Sequence, residues 1–135
     1  MPEDDNVQTL NKPIRLLVAD DQAAVRQSIR RLLAECDDMY VVGEASRGDE
    51  ALEKVLNEPY DLVILDITMP VKHGLDVLKE IKQERPDLPV LILSIHPPDQ
   101  YEARALQLGA AGYVTKERAP EDLIAEVRKA LHLPA

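Results

Sequence analysis

The chain has 135 residues, enough for one domain with a real core and too few for two. Asp and Glu outnumber Lys and Arg by 25 to 16, a formal charge of -9, and so acidic a protein is poorly suited to gripping nucleic acid phosphates or an anionic membrane unaided. No apolar run approaches the roughly 20 residues that cross a bilayer, the acidic N-terminus lacks the basic start of a signal peptide, and one cysteine allows no internal disulfide, so a cytoplasmic protein is expected.

Residues 1–12 are polar and aperiodic, and are expected to form a disordered tail ahead of a domain over 13–135. Ile14 to Ala19 is a β-type run that stops at Asp20-Asp21, after which Val25, Ile29, Leu32, Leu33 and Cys36 mark one face of a helix. On that face Cys36 is expected to be a buried, inert thiol. Met39 to Glu44 reads as a second strand, and Ala51, Leu52, Val55 and Leu56 as the inner face of a helix ending near Asn57. Leu62-Val63-Ile64-Leu65 lies between a Pro59-Tyr60 turn and a Met69-Pro70 break; four apolar residues in a row suit a strand covered on both faces, with Asp66 where it runs out. A helix with Leu75, Leu78 and Ile81 inward follows and Pro86 closes it.

Leu88 to Ile95 is a fourth strand, Pro97-Pro98 punctuate, and Tyr101, Ala105, Leu106 and Leu108 mark a weaker helix that Gly109 ends as a cap. Ala111 to Thr115 is a short fifth strand; Lys116 and a last helix with Leu123, Ile124, Val127, Ala130 and Leu131 on one side complete the chain. Five strand-helix units in strict alternation predict an α/β fold, a doubly wound parallel sheet with helices on both faces.

Parallel strands point one way, so residues at their C-terminal ends gather on one edge, where open α/β sheets bind ligands. Here those residues are Asp20 and Asp21, Asp66, Ser94, and Thr115-Lys116. Helix capping accounts for one aspartate at most. Unneutralised, the three carboxylates raise one another's pKa, and Lys116 alone leaves them two charges short. Mg²⁺, which takes a few oxygen ligands plus waters and phosphate oxygens, restores the balance. A carboxylate beside Mg²⁺ and a lysine is suited to attack phosphorus and accept a phosphoryl group.

Four motifs lie in order at matching distances: Val18-Ala19-Asp20-Asp21; Leu65-Asp66-Ile67-Thr68-Met69-Pro70 with Gly74; Ile92-Leu93-Ser94; and Gly109-Ala110-Ala111-Gly112-Tyr113-Val114-Thr115-Lys116. With them the chain resembles the receiver domain of two-component response regulators over about residues 13–132. The resemblance implies a flavodoxin-like (βα)5 fold with strand order 2-1-3-4-5. It implies Asp66 as phosphoacceptor, Asp21 as a direct Mg²⁺ ligand, Asp20 as a ligand mostly through water, and the backbone carbonyl of Thr68 as a further ligand. Lys116 is similar in position to the lysine that contacts the phosphoryl group, and Ser94 and Tyr113 to the hydroxyl-aromatic pair that switches, the ring expected to turn inward when Ser94 moves toward the phosphoryl group. Thr68 and His96 become candidates for tuning phosphate lifetime. The implied partners are a sensor histidine kinase and a second copy through the face of the fourth helix, fifth strand and fifth helix. The receiver itself is no enzyme beyond its own phosphorylation and dephosphorylation.

The segment Leu108–Leu131, with Lys116-Glu117 where lysine-proline is commoner, resembles the LuxR-type branch of transcriptional regulators. That branch touches DNA through a helix-turn-helix output domain that this sequence lacks, so a receiver belonging to a longer protein is favoured over a stand-alone one, and the isomer of the Lys116-Glu117 bond is open. His73, His96 and His132 share no metal-ligand spacing. Three other classes fit less well. Haloacid-dehalogenase-type phosphatases place a similar Asp-Ile-Thr after their first strand and carry a cap; a flavodoxin-like FMN carrier needs a hydroxyl-rich loop where Asp20-Asp21-Gln22-Ala23-Ala24 repels phosphate; a non-phosphorylated pseudo-receiver has no use for three intact aspartates.

Overall fold

The computed structural model describes residues 12–134, so apart from an exposed Lys12 the expected tail lies outside the described residues. The elements run β1 (Ile14–Ala19), α1 (Ala23–Leu33), β2 (Met39–Ala45), α2 (Gly48–Asn57), β3 (Leu62–Asp66), α3 (Gly74–Glu84), β4 (Val90–Ser94), α4 (Pro98–Gln107), β5 (Gly112–Thr115), a single 3-10 turn (Lys116–Arg118) and α5 (Ala119–Ala130). All strand pairs are parallel, in the order β2-β1-β3-β4-β5. The flavodoxin-like order is therefore the one expected.

The central strands β3 and β4 read as nearly unbroken apolar runs because both of their faces are covered. Leu16 and Val18 of β1, Leu62 and Ile64 of β3, and Leu91 and Leu93 of β4 pack with Ile29 and Leu33 of α1 and Leu123 and Val127 of α5. The alternate residues, Leu17, Ala19, Val63, Leu65, Val90 and Ile92, pack with Ala51 and Val55 of α2, Val77, Leu78 and Ile81 of α3, and Ala105 of α4. Ile64 is 1% exposed, and truncating such a side chain to alanine costs about 2–5 kcal/mol. The chain moves outward from β1 to β2 and then back to β3. The reversal of strand order thus falls between β1 and β3, whose C-terminal ends carry Asp20 and Asp66.

Several expected boundaries shift. Helix α1 stops at Leu33, so Cys36 sits in the turn before β2, half-buried against the α1 and α5 side of the core and off the helix face. Neither aspartate caps α1: its N-cap is Gln22, which makes no side-chain cap bond. Leu56 and Leu106 turn outward, 38% and 47% exposed, because α2 and α4 bury narrower stripes than their apolar residues suggest. Strand β4 spans only Val90–Ser94, leaving Ile95 69% exposed. Gly109 does end α4, with φ +104, and the stem of Lys82 fills the space beside it. Among the described residues no peptide bond is cis, so the Lys116-Glu117 bond is trans.

Candidate functional site

Strand direction and alternation together build the site. Asp66 is the last residue of β3 and Asp20 the first beyond β1, and both are buried, 1% and 0% exposed, whereas Asp21 is open to solvent. Each offers one oxygen, and the three oxygens lie within 4.8 Å of one another. Lys116, directly after β5, places Nζ 2.8 Å from Asp20 Oδ2 and 3.6 Å from Asp66 Oδ2. Asp20 Oδ1 accepts from the Gln22 backbone N–H at 2.8 Å, which shapes the Asp20–Gln22 turn. Asp66 Oδ1 accepts from the Thr68 N–H at 3.3 Å. Asp66 Oδ2 has no hydrogen-bond donor, and Asp20 Oδ2 has only its ion pair with Lys116.

The loop after β3 is pressed tightly onto this site. The Gly74 N–H donates to the Ile67 carbonyl at 2.8 Å, and a Cβ on Gly74 would lie 2.6 Å from Ile67 Cα, so only glycine lets α3 start here. Within the loop Val71 holds φ +73, bracketed by a Lys72 N–H to Pro70 carbonyl bond of 2.8 Å. A β-branched residue in the left-handed region of a γ-turn is strained, and Val71 is 71% exposed as well.

Burial pushes the Asp66 carboxyl up to about 6, the Asp20 charge pushes the same way, and Lys116 opposes both. The lysine is not enough. A cluster with an unbonded buried oxygen and a net deficit of positive charge fits a hard cation: Mg²⁺ takes carboxylate oxygens and completes its shell with water.

Ser94 closes β4 and is fully buried; Asp66 pairs in register with Leu93, so Ser94 lies one residue further along the neighbouring strand. Its Oγ accepts from the His96 N–H at 2.9 Å. Tyr113 is only 8% exposed and its hydroxyl donates to the His96 carbonyl at 3.0 Å, so the expected inward turn of this ring is already made. Burial raises the pKa of the phenol, with the Ser94 hydroxyl acting the other way. The His96 ring packs edge-on against Tyr101 of α4, centroids 4.9 Å apart, and among the described residues no hydrogen bond or ion pair joins His96 to the three aspartates. Thr68 meets Asp66 through its N–H; its side chain is exposed.

One contact has no signature in the local sequence. Arg26 of α1 donates from Nη1 to the Asp20 carbonyl at 2.6 Å and from Nε to Glu44 Oε1 of β2 at 2.9 Å. In sequence Arg26 is one polar residue in a helix, and its partner is 18 positions away.

Known proteins resemble this chain in sequence and in fold. Residues 16–128 match the family described as the response regulator receiver domain. The chain is 37% identical over 115 residues to the response regulator GacA of Pseudomonas viridiflava and 35% identical over 115 residues to the response regulator UvrY of Escherichia coli. Those matches take in 85% of this chain but only 54% and 53% of the relatives, so it spans about half the length of the curated relatives it matches. A two-component response regulator of the LuxR family from an Aurantimonas species superposes with TM-score 0.85 at 30% identity, covering 90% of this chain and 86% of that one. The response regulator domain of Thermotoga maritima CheB gives 0.83 at 29% identity, with 92% and 100% coverage. With a family match over most of its length on the fold that the family adopts, this chain belongs to the response regulator receiver domains.

Proposed function

We propose that the chain is a phosphoacceptor that takes a phosphoryl group from a sensor histidine kinase onto Asp66 and passes the change to a partner surface. The observation that carries this reading is the set of three carboxylate oxygens within 4.8 Å, two of them on buried residues, served by one lysine. Asp21, Asp20, Asp66 and the Thr68 carbonyl would hold Mg²⁺, which supplies positive charge to the transferring oxygens. An Asp66 Oδ attacks phosphorus, the P–N bond to the donor histidine breaks, and the freed imidazole keeps the bonding pair. Lys116 offsets charge on the phosphoryl oxygens, and Ser94, on the adjoining strand, is the hydroxyl that turns to meet them. The buried Tyr113 ring then depends on where Ser94 rests.

The receiver domain accordingly occupies residues 13–135. It promotes only the gain and hydrolysis of its own acyl phosphate, a rate that Thr68 and His96 tune. The face formed by α4, β5 and α5 becomes the surface for a second copy, and DNA is reached through an output domain of the kind carried by LuxR-type regulators. The natural setting is the cytoplasm, and none of the described helices is long and apolar enough to cross a membrane.

Intact-mass measurement after incubation with acetyl phosphate tests the reading. Wild type is expected to gain one phosphoryl group with Mg²⁺ and none with a chelator, and Asp66→Asn to gain none in either condition. A full gain in Asp66→Asn, or none in wild type with Mg²⁺, contradicts it.

A further inference from the structure

We infer that Arg26 is a positioning residue for the divalent-cation site, a role that rests on the reading of Asp20 and Asp21 as its ligands. Asp20 has to present a carboxylate from a turn between β1 and α1 while its neighbour Asp21 faces solvent. The turn is tied down from several sides. The Asp20 N–H donates to the Ala45 carbonyl of β2 at 2.9 Å, Oδ1 takes the Gln22 N–H, and Oδ2 faces Lys116. Its carbonyl is left to Arg26, whose Nη1 closes to 2.6 Å.

Arg26 is itself held. Its Nε gives 2.9 Å to Glu44 Oε1, and the second oxygen of Glu44 takes Arg30 Nη2 at 2.6 Å and Nε at 3.1 Å. Each carboxylate oxygen of Glu44 thus serves one arginine, and these bonds hold the Glu44 carboxyl below the usual carboxylate range, Arg30 contributing most. The Arg26 side chain is 18% exposed, so its fork is fixed between β2 and the turn instead of waving in solvent. The chain Glu44, Arg26, Asp20 carbonyl runs from the edge strand to the metal ligands and sets where the two carboxylates point.

The sign of the effect separates this role from plain electrostatics. A guanidinium bonded to the backbone of a ligand residue repels an incoming cation, so removing it should tighten Mg²⁺ binding if charge alone mattered. If Arg26 positions the turn, removing it weakens binding. Mg²⁺ is titrated calorimetrically into wild type, Arg26→Ala, Arg26→Lys and Arg30→Ala, each checked for fold by circular dichroism and for metal-free melting temperature. The dissociation constant is expected to rise about tenfold in Arg26→Ala. Lysine should restore only part, because one ammonium cannot serve both the Asp20 carbonyl and Glu44. Arg30→Ala, which leaves the Asp20 contact in place, should stay within about twofold of wild type. Affinity in Arg26→Ala equal to or tighter than wild type overturns the inference, as does an equal loss in Arg30→Ala, which would mark general loosening of α1. Should Arg26→Ala not fold, undiminished affinity in Arg26→Lys overturns it. Failure of wild type to bind Mg²⁺, or unchanged binding in Asp21→Ala, instead sinks the metal-site reading beneath it.

Discussion

Asp38 and Asp66 stand at opposite ends of the sheet and have opposite fates. Asp38, just before β2, receives both Nη atoms of Arg128 from α5, at 3.1 and 3.2 Å. Those bonds hold its carboxyl below the ordinary carboxylate range. Asp66, at the end of β3, is buried with one oxygen unbonded and its carboxyl pushed up to about 6, first by burial and then by the Asp20 charge. At one end of the sheet a partly buried charge meets a full partner; the other end gathers charge that it cannot match alone. A fold keeps such a deficit where something from outside is meant to bind.

The largest effect that would break this contrast is on stability. A carboxylate with a raised folded pKa contributes stability that is full below its ordinary value of 3.8 and lost as pH rises through about 6. Asp66→Asn never carries the charge, so without metal it should be more stable than wild type above pH 6, by on the order of 2–3 kcal/mol. The gain should vanish toward pH 4. Urea unfolding at both pH values measures it, and an Asn variant no more stable at pH 7 would remove the contrast. Next comes the cation. Asp21→Ala should weaken Mg²⁺ binding by more than about tenfold in a calorimetric titration while leaving the fold intact, since the fold does not bury Asp21.

Asp38 should answer in the opposite direction. With a depressed pKa its contribution is present above the ordinary carboxylate range and lost as pH falls through its folded value. Asp38→Ala should therefore lower stability at pH 7 by about 1 kcal/mol, a partly exposed pair being worth no more, and the loss should shrink in acid. Stabilisation by that change would place both carboxylates in one class. The smallest expected change is in dynamics. Ser94→Ala should still be phosphorylated yet show a reduced phosphorylation-dependent change in amide exchange over residues 98–131. A response as full as wild type would show that Ser94 does not transmit it.

Much of this was legible in the sequence because the sheet is covered on both faces. Leu62 to Leu65 and Leu91 to Leu93 are apolar without interruption, and that continuity, with Asp20, Asp21, Asp66 and Lys116 at strand ends, was enough to place the acidic edge. Ends of elements were less legible. Nothing in Ala34-Glu35 stops a helix, so Cys36 read as its continuation; Leu106 follows the buried Ala105 by about 100° around α4 and faces water. The buried resting place of Tyr113 and the grip of Arg26 on Asp20 both depend on partners from other elements, and no local pattern announces them.

Titrating Asp66 itself tests the unmatched charge at this edge most directly. Carboxyl-carbon NMR with and without saturating Mg²⁺ follows its protonation directly. A midpoint of about 6 is expected in the metal-free protein, moving well down when Mg²⁺ is added, because the cation favours the charged form. A midpoint near the ordinary 3.8 without metal, or one that Mg²⁺ leaves unmoved, would contradict it.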